Sequence, residues 1–388
     1  MNLTEKNLNK ISLFFLILLI FIPKIKLIDI NFFRQGIKLD DFIVLYYLLL
    51  IIIIYGFNLV IKFKFILFIF IWFILAFLIN SDSNYVLNFI ILVRFVEYLI
   101  IFYLIYNCKN YHYEISLFLC LFVYANTLLS IFQSYGLIGG FSSYEYLEAG
   151  HSWLERPYGL TGGSWELGAL LPIYFFILLR LKIFNKNTIR LIFLCVLLTL
   201  ILTQNRTAIT GFILAVLLIL FNASQNKKKL VIIYIIFFMS AIFILYFYYN
   251  ILYNSRLKVF YDLYFLLQNY TNLLNFVNEI KMVDASLYYR INLWDEIINY
   301  WLSNYINIII GVGWYKYLYI ENGLLRILTT FGVFLFIIIL IKLKKNTYTP
   351  EFTYILIISL TIDLVVSFKF TIALAIYLIF FQNKLLKL

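Results

Sequence analysis

Two arginines stand out in this chain because each lies where an apolar stretch gives way to polar residues. Arg206 sits in a polar hinge between the apolar runs 190–204 and 207–222, and Arg290 opens a segment with helical spacing. A guanidinium stays charged and presents a planar fork of N–H donors, so it can hold phosphate oxygens in a bidentate way. The plainer alternatives are an interfacial arginine that reaches lipid headgroups for Arg206 and a solvated loop arginine for Arg290.

Three further polar residues are candidates for chemistry. Arg156 lies in a loop rich in glycine and is a candidate to bind phosphate or sugar, with Glu166 as a structural partner of one of the arginines. Glu321 precedes an apolar run, where it is either a carboxylate favoured by the helix dipole or a general base. His151 is a weaker candidate base, since a histidine in a loop is more often solvated.

The composition decides what kind of scaffold positions these residues. Of 388 residues, 64% are hydrophobic and 13% are charged, whereas soluble domains are about half apolar and about a quarter charged. One soluble globule cannot bury so much apolar surface, which excludes a soluble enzyme, a disordered chain and a fibrous repeat.

We therefore predict an all-α, polytopic integral membrane protein that forms one membrane domain over residues 1–388. A membrane-spanning helix needs roughly 17–25 mostly apolar residues. Twelve runs qualify or come close, and the last two are alternatively one broken helix, which would leave eleven spans. The runs are 11–23, 41–60, 65–80, 85–107, 114–136, 165–184, 190–204, 207–222, 230–249, 322–341, 352–366 and 370–382.

The distribution of charge predicts the orientation. With the N-terminus in the cytoplasm and alternating spans, the cytoplasmic side holds 17 basic and three acidic residues, and the outer side holds 11 basic and 14 acidic residues. Cytoplasmic loops are enriched in Lys and Arg, so this distribution of the charges, which sum to +12, favours this orientation, with both termini cytoplasmic.

Two predicted outer loops are long, at 137–164 and 250–321. Long loops in compact proteins often carry function. The second contains apolar residues at three- and four-residue spacing, which predicts an amphipathic helix from Asp284 or Ser286 to about Asn304.

Charged residues inside the apolar runs need partners. Arg94 and Glu97 are three residues apart on one predicted helix and should pair, and Asp363 and Lys369 flank the last break and are a second candidate pair. The three cysteines lie in or beside apolar runs, which argues against a disulfide framework. No cluster of Cys and His and no outer Asp-x-Asp motif indicates a metal site.

The order of these features resembles the superfamily of O-antigen polymerases and O-antigen ligases. The resemblance covers roughly residues 85–345 and places a polar hinge with Arg206 between two spans, although the usual Ser before the arginine is Asn205 here. The other matching segments are Arg156–Leu160 with Gly168, Arg290 with Trp294, Gly311–Gly313, Glu321–Leu325 and Phe331–Val333.

The resemblance implies a GT-C-like glycosyltransferase without a cofactor or metal, acting at the periplasmic face of a bacterial inner membrane. It implies that Arg206 and Arg290 hold the diphosphate of a glycan linked to undecaprenyl diphosphate. Arg156 and Asn322 would assist in binding, and Glu321 would be the base. Ligases commonly carry His where this chain has Glu321, so the resemblance favours a polymerase of repeat units, with a chain-length regulator as a candidate partner.

Two other functions compete with this prediction. A ligase would transfer the glycan to lipid A–core or to a protein. A flippase or secondary transporter would need its critical charges near the middle of the bilayer, whereas the candidate residues here lie at predicted outer ends of spans.

Overall fold

The computed structural model describes residues 5–30, 35–55, 64–79, 85–139, 156–223, 285–313, 322–343, 349–360, 362 and 367–381. These residues are predominantly helical. The helices are α1 Glu5–Phe21, α2 Leu39–Tyr55, α3 Lys64–Ile79, α4 Tyr85–Asn107, α5 His112–Ser134, α6 Ser164–Leu181, α7 Lys186–Thr203, α8 Arg206–Ala223, α9 Ala285–Leu302, α10 Tyr305–Ile310, α11 Gly323–Leu343, α12 Pro350–Ser359 and α13 Phe368–Phe381.

The prediction of a helical membrane protein is confirmed. Four of the described helices, α5, α6, α7 and α11, are long and apolar enough to cross a membrane. A described helix overlaps every predicted apolar run except 230–249, which lies outside the described residues, and the helix in run 352–366 ends at Ser359. Helix α9 occupies the predicted amphipathic segment and packs against α11 through Leu293, Ile297 and Leu325.

A short hairpin is the exception to the all-α prediction in the described part of the chain. Strand β1, Lys26–Ile30, pairs antiparallel with β2, Gln35–Lys38, between α1 and α2. The segment is too short and too interrupted by charge to continue either helix, and its isoleucines favour extended backbone. The pairing satisfies backbone groups that would otherwise need water.

The end of α1 and the beginnings of α8, α11 and α13 lie on one side of the bundle. Lys369, near the start of α13, donates to the carbonyl of Ile20 at the end of α1 at 2.9 Å. Gly323, which begins α11, donates to the carbonyl of Ile362 just beyond α12 at 3.2 Å. We call this the Arg206 side, since α8 also begins there with Arg206.

The last two helices run in opposite directions and are not halves of one broken helix. The Thr349 hydroxyl, before α12, lies 3.1 Å from the hydroxyl of Tyr377 near the end of α13. Arg180, near the end of α6, lies 3.7 Å from the carboxylate of Glu351 and donates to Tyr377 at 3.4 Å. Helix α12 therefore begins where α13 ends, although its 10 residues span only about 15 Å.

Helix α6 forms the centre of the core. All of its residues from Glu166 to Leu178 are buried, and α5, α7, α8, α12 and α13 pack around it. Because these helices surround α6, the segments on either side of it are held at defined positions.

Helix α11 is interrupted in its middle by Gly332, whose φ of 72° and ψ of 172° are not helical. The segment after α10 packs into the interruption, where Val312 donates to the carbonyl of Thr329 at 2.8 Å. A Cβ on Gly332 would lie 2.2 Å from the carbonyl oxygen of Ile309, and one on Gly311 would lie 2.2 Å from that of Thr330. Only glycine allows this approach, so the two glycine motifs named above meet here.

Candidate functional site

Arg156 is held at the end of α7. Its side chain is buried, and its Nε donates to the carbonyl of Thr203, the last residue of α7, at 2.8 Å. A cation is favoured at a helix C-terminus, where carbonyl groups lack intrahelical donors. This bond places Arg156 beside the hinge that contains Arg206.

Asn205 holds the hinge against the start of α6. Its Oδ1 accepts from the backbone N–H of Ala208 at 3.2 Å, which caps α8, and its Nδ2 donates to the carbonyl of Trp165 at 3.0 Å. A serine could provide the cap but not the second bond with the same geometry. The asparagine therefore joins the beginnings of α6 and α8, and Gly168 allows the close approach, since a Cβ there would lie 2.9 Å from that of Asn205.

Arg206 is the first residue of α8 and is half-buried. A positive side chain at a helix N-terminus opposes the helix dipole, whereas an anion there is favoured. Arg156 and Arg206 thus flank one turn of backbone, at Thr203 to Arg206. Two arginines of the five residues predicted to form the site are brought together in this way.

Buried side chains of α5 hold the loop that carries Arg156. Gln133 accepts the backbone N–H groups of Tyr158 and Gly159 at 3.0 and 2.9 Å, and Asn126 accepts that of Leu160 at 2.8 Å. Buried polar groups bound in this way are costly to displace, so this part of the loop is rigid.

Glu166 corrects one expectation. It is buried at 1% exposure and was expected to partner an arginine, but its Oε1 lies 3.6 Å from the Nζ of Lys24. The same oxygen accepts from the hydroxyl of Ser367, and Oε2 accepts from the N–H of Gly162 at 2.6 Å. Neither Lys24 nor Ser367 is recognisable as a partner from local sequence, because each resembles an ordinary residue at the flank of an apolar run.

Arg290 belongs to a different layer of the bundle. It is half-buried in α9, which packs on α10 and α11. Helix α11 contacts α12, and α12 packs extensively along α8. The connection between Arg290 and Arg206 therefore runs through two intervening helices.

Asn322 caps α11. Its Oδ1 accepts from the backbone N–H of Leu325 at 2.9 Å, which fixes the carboxamide at the beginning of the helix. Glu321, the predicted base, lies outside the described residues, as do His151 and Asp363. Lys369, the proposed partner of Asp363, is buried and also lies with its Nζ 5.3 Å from the centre of the Phe122 ring.

A second group of buried charges lies between α2 and α4. Arg94 donates to Glu97 at 2.7 Å, which confirms the predicted pair, and its fork also grips both carboxylate oxygens of Asp41. Nearby in β2, burial and the positive charges of Lys24 and Arg94 lower the pKa of Lys38 to about 7. Asp41 was not predicted, because it is distant from Arg94 in sequence.

The described residues contain no group of three or more His, Cys, Asp or Glu that could hold a metal ion, and the three cysteines are free. What the hinge offers is two guanidiniums beside the beginning of a helix. Such a combination can bind and stabilise an oxyanion, above all a phosphate.

The fold and this site define a helical membrane protein with a cationic hinge on one side of its bundle. No protein-family model and no curated protein sequence matches the chain.

Proposed function

We propose that this protein is a membrane glycosyltransferase that polymerises oligosaccharide repeat units linked to undecaprenyl diphosphate at the outer face of a bacterial cytoplasmic membrane. The observation that carries the proposal is the meeting of Arg156 and Arg206 at the Thr203–Arg206 turn. A diphosphate bound there gains from two guanidiniums and from the dipole of α8.

The location suits a substrate anchored in the membrane. The hinge lies where helix ends meet, and the surfaces of α7 and α8 expose large apolar residues such as Leu198, Ile201 and Leu214. A polyprenyl chain is compatible with such a surface because both are apolar. The charged end of the donor would then reach the arginines while its tail stays in the bilayer.

The reaction is a single displacement. The hydroxyl oxygen of the acceptor sugar attacks the anomeric carbon of the donor, and the bond from that carbon to the diphosphate oxygen breaks. Undecaprenyl diphosphate leaves with the electron pair, stabilised by Arg206. The resemblance assigns Arg290 to the same diphosphate, although α11 and α12 lie between the helices that carry the two arginines. Glu321 takes the hydroxyl proton. Arg156 and Asn322 orient the diphosphate, and the anomeric configuration is inverted.

Reconstitution in proteoliposomes with lipid-linked repeat units tests this proposal. Wild-type protein should lengthen the glycan without ATP and with a chelator present, and Arg206→Ala, Arg290→Ala and Glu321→Ala should abolish the extension. Arg190→Ala is the matched control, because Arg190 is an exposed arginine of α7 far along the helix from the hinge. Failure of the wild type, or equal extension by the three variants, would overturn the proposal.

The same assay separates a polymerase from a ligase. Adding lipid A–core as the alternative acceptor should leave product on undecaprenyl diphosphate if the protein is a polymerase. Transfer of single repeat units to lipid A–core would instead identify a ligase.

A transporter is a second candidate, and one observation favours it. Arg94 lies nine residues after the start of α4, or about 14 Å along a helix of 23 residues. It joins Asp41, in the first turn of α2, to Glu97, and such a group of charges between helices is expected of an ion pathway. Translocation of a lipid-linked oligosaccharide without lengthening, lost in Asp41→Asn, would favour the transporter over the enzyme.

A further inference from the structure

Five consecutive backbone N–H groups in the loop before α6 each donate a hydrogen bond to another group of the protein. Tyr158, Gly159 and Leu160 donate to the α5 side chains named above, Thr161 donates to the carbonyl of Tyr158 at 2.9 Å, and Gly162 donates to Glu166 at 2.6 Å. Loops at helix ends normally leave such groups to water. Each amide from 158 to 162 is therefore hydrogen-bonded within the protein.

Glu166 is the residue that connects the loop to the rest of the bundle. Its carboxylate binds the hydroxyl of Ser367, which precedes α13, and pairs with Lys24, which follows α1. Ser367 also accepts from the N–H of Phe370 at 3.1 Å and so caps α13. One buried carboxylate therefore joins the loop, the end of α1 and the beginning of α13.

Because of its contacts within the protein, Glu166 does not reach a substrate and takes no direct part in catalysis. It is 1% exposed, and both carboxylate oxygens are engaged by protein groups. A buried carboxylate with a cation beside it is expensive to disturb, because the loss of either charge leaves the other unpaired. Its contribution to a site can only be made through the groups it holds.

We propose that Glu166 is a positioning residue that holds Arg156 in place to orient a polyprenyl diphosphate. The proposal rests on the function proposed above. Glu166 fixes Gly162, the α5 side chains fix residues 158–160, and the loop thereby delivers the guanidinium of Arg156 to Thr203 beside Arg206. A guanidinium already held in its binding geometry loses less entropy when the diphosphate arrives.

The contacts of Glu166 with Lys24, Gly162 and Ser367 are called the clamp below, and the surroundings of Gly162 supply an independent way to disturb it. A Cβ at this position would lie 2.5 Å from the Cδ of Lys24 and 3.0 Å from the Oε2 of Glu166. Gly162→Ala should therefore separate Lys24 from Glu166 without removing either charge. Ser367→Ala leaves the ion pair in place and removes two hydrogen bonds, the one to Glu166 and the one from the N–H of Phe370.

The test measures two quantities on the full-length protein in detergent. The hydrogen-exchange rate of amides 158–162 reports whether their hydrogen bonds persist. The affinity for inorganic pyrophosphate reports whether Arg156 is positioned to bind a diphosphate. Glu166→Gln, Gly162→Ala and Ser367→Ala should each speed exchange at 158–162, by at least about tenfold for Glu166→Gln. The matched control is Glu351→Gln, which alters a buried carboxylate paired with Arg180 at the other end of α6.

Pyrophosphate binding is then measured in a double-mutant cycle with Arg156→Ala. Glu166→Gln should raise the Kd about tenfold when Arg156 is present and should have no further effect when it is alanine. A general loss of folding would instead weaken binding equally in both backgrounds. Ser367→Ala, which keeps the ion pair, serves in the cycle if Glu166→Gln does not fold.

The outcomes separate the two proposals. Unchanged exchange at 158–162 in all three variants, or equal losses of affinity with and without Arg156, would overturn the role of Glu166. If the variants exchange faster but the wild-type protein binds no pyrophosphate, Glu166 only stabilises the loop. Both the diphosphate function and the positioning role would then be overturned.

Discussion

The hydroxyl of Tyr354 on α12 lies 3.2 Å from the carbonyl oxygen of Gly168 on α6, and 3.1 Å from that of Ala169. Pro172 lies four residues after Gly168 and has no N–H to donate. The proline therefore leaves the Gly168 carbonyl without its helical partner, and the fully buried Tyr354 replaces it. This bond sets the position of α12 along α6.

Replacing this hydroxyl should destabilise the protein. Tyr354→Phe leaves a buried carbonyl unsatisfied, which should cost roughly 1–3 kcal/mol. In a Pro172→Ala background the cost should shrink, because the new N–H supplies the donor that Gly168 lacks. Thermal unfolding in detergent of the four proteins in this cycle measures the difference, and an equal cost in both backgrounds would contradict the explanation.

Conservative replacement of the hinge arginines should impair the proposed reaction. Arg156 uses Nε for Thr203, and lysine has no second nitrogen with which to contact phosphate at the same time. Arg156→Lys and Arg206→Lys should each lower the initial rate of chain extension in proteoliposomes by about tenfold or more. Arg190→Lys, on an exposed position of α7, should match wild type. Full activity in both hinge variants would argue against bidentate binding.

Substituting the glycine that interrupts α11 should release the segment packed into it. Gly332→Ala meets both a positive φ of 72° and the carbonyl of Ile309, so we expect a loss of at least about 1–3 kcal/mol from backbone strain alone. Amides 311–313 should exchange faster, as measured by hydrogen exchange. Gly139→Ala, which has open space around the new Cβ, should change neither stability nor exchange.

The buried lysine of the hairpin predicts a dependence of stability on pH. Burial lowers the pKa of Lys38 to about 7, well below its value of about 10.4 in an unfolded chain. Between these values the unfolded state binds one more proton than the folded state, so stability rises with pH by at most about 1.4 kcal/mol per unit. Below pH 7 both states are protonated, and the contribution is constant.

Unfolding midpoints of wild type between pH 7 and 9 test this expectation against Lys38→Met. The variant should be more stable than wild type at pH 7, and its stability should rise less with pH. Lys186→Met changes an exposed lysine and should keep the wild-type slope. The same slope in Lys38→Met would assign the dependence to another group.

Much of the fold follows from local composition. The predicted run 85–107 coincides with α4, and 207–222 lies within α8. The length of an apolar run and the need to satisfy its backbone hydrogen bonds depend on nearby residues alone. The hairpin escaped prediction because its strands are four and five residues long, too short for a pattern to emerge.

The candidate site was only partly accessible to the same reasoning. Asn205 and Arg206 lie in a polar hinge between apolar runs and Arg156 lies in a glycine-rich loop, so local sequence indicates all three. The structure bonds Arg156 to Thr203 and Asn205 to Trp165. No local pattern indicates that Lys24 will face Glu166, since their meeting depends on how α1 and α6 pack.

The sequence by itself determined that this chain is a bundle of apolar helices with its charges gathered at particular helix ends, because hydrophobicity and length act segment by segment. Only the tertiary structure decided that Glu166 pairs with Lys24, that Asp41 joins Arg94, and that Gly332 opens α11 to the segment after α10. Each of these contacts joins residues far apart in the chain. A buried charge or unpaired carbonyl requires a partner, but the spatial arrangement of the packed helices decides which group that partner is.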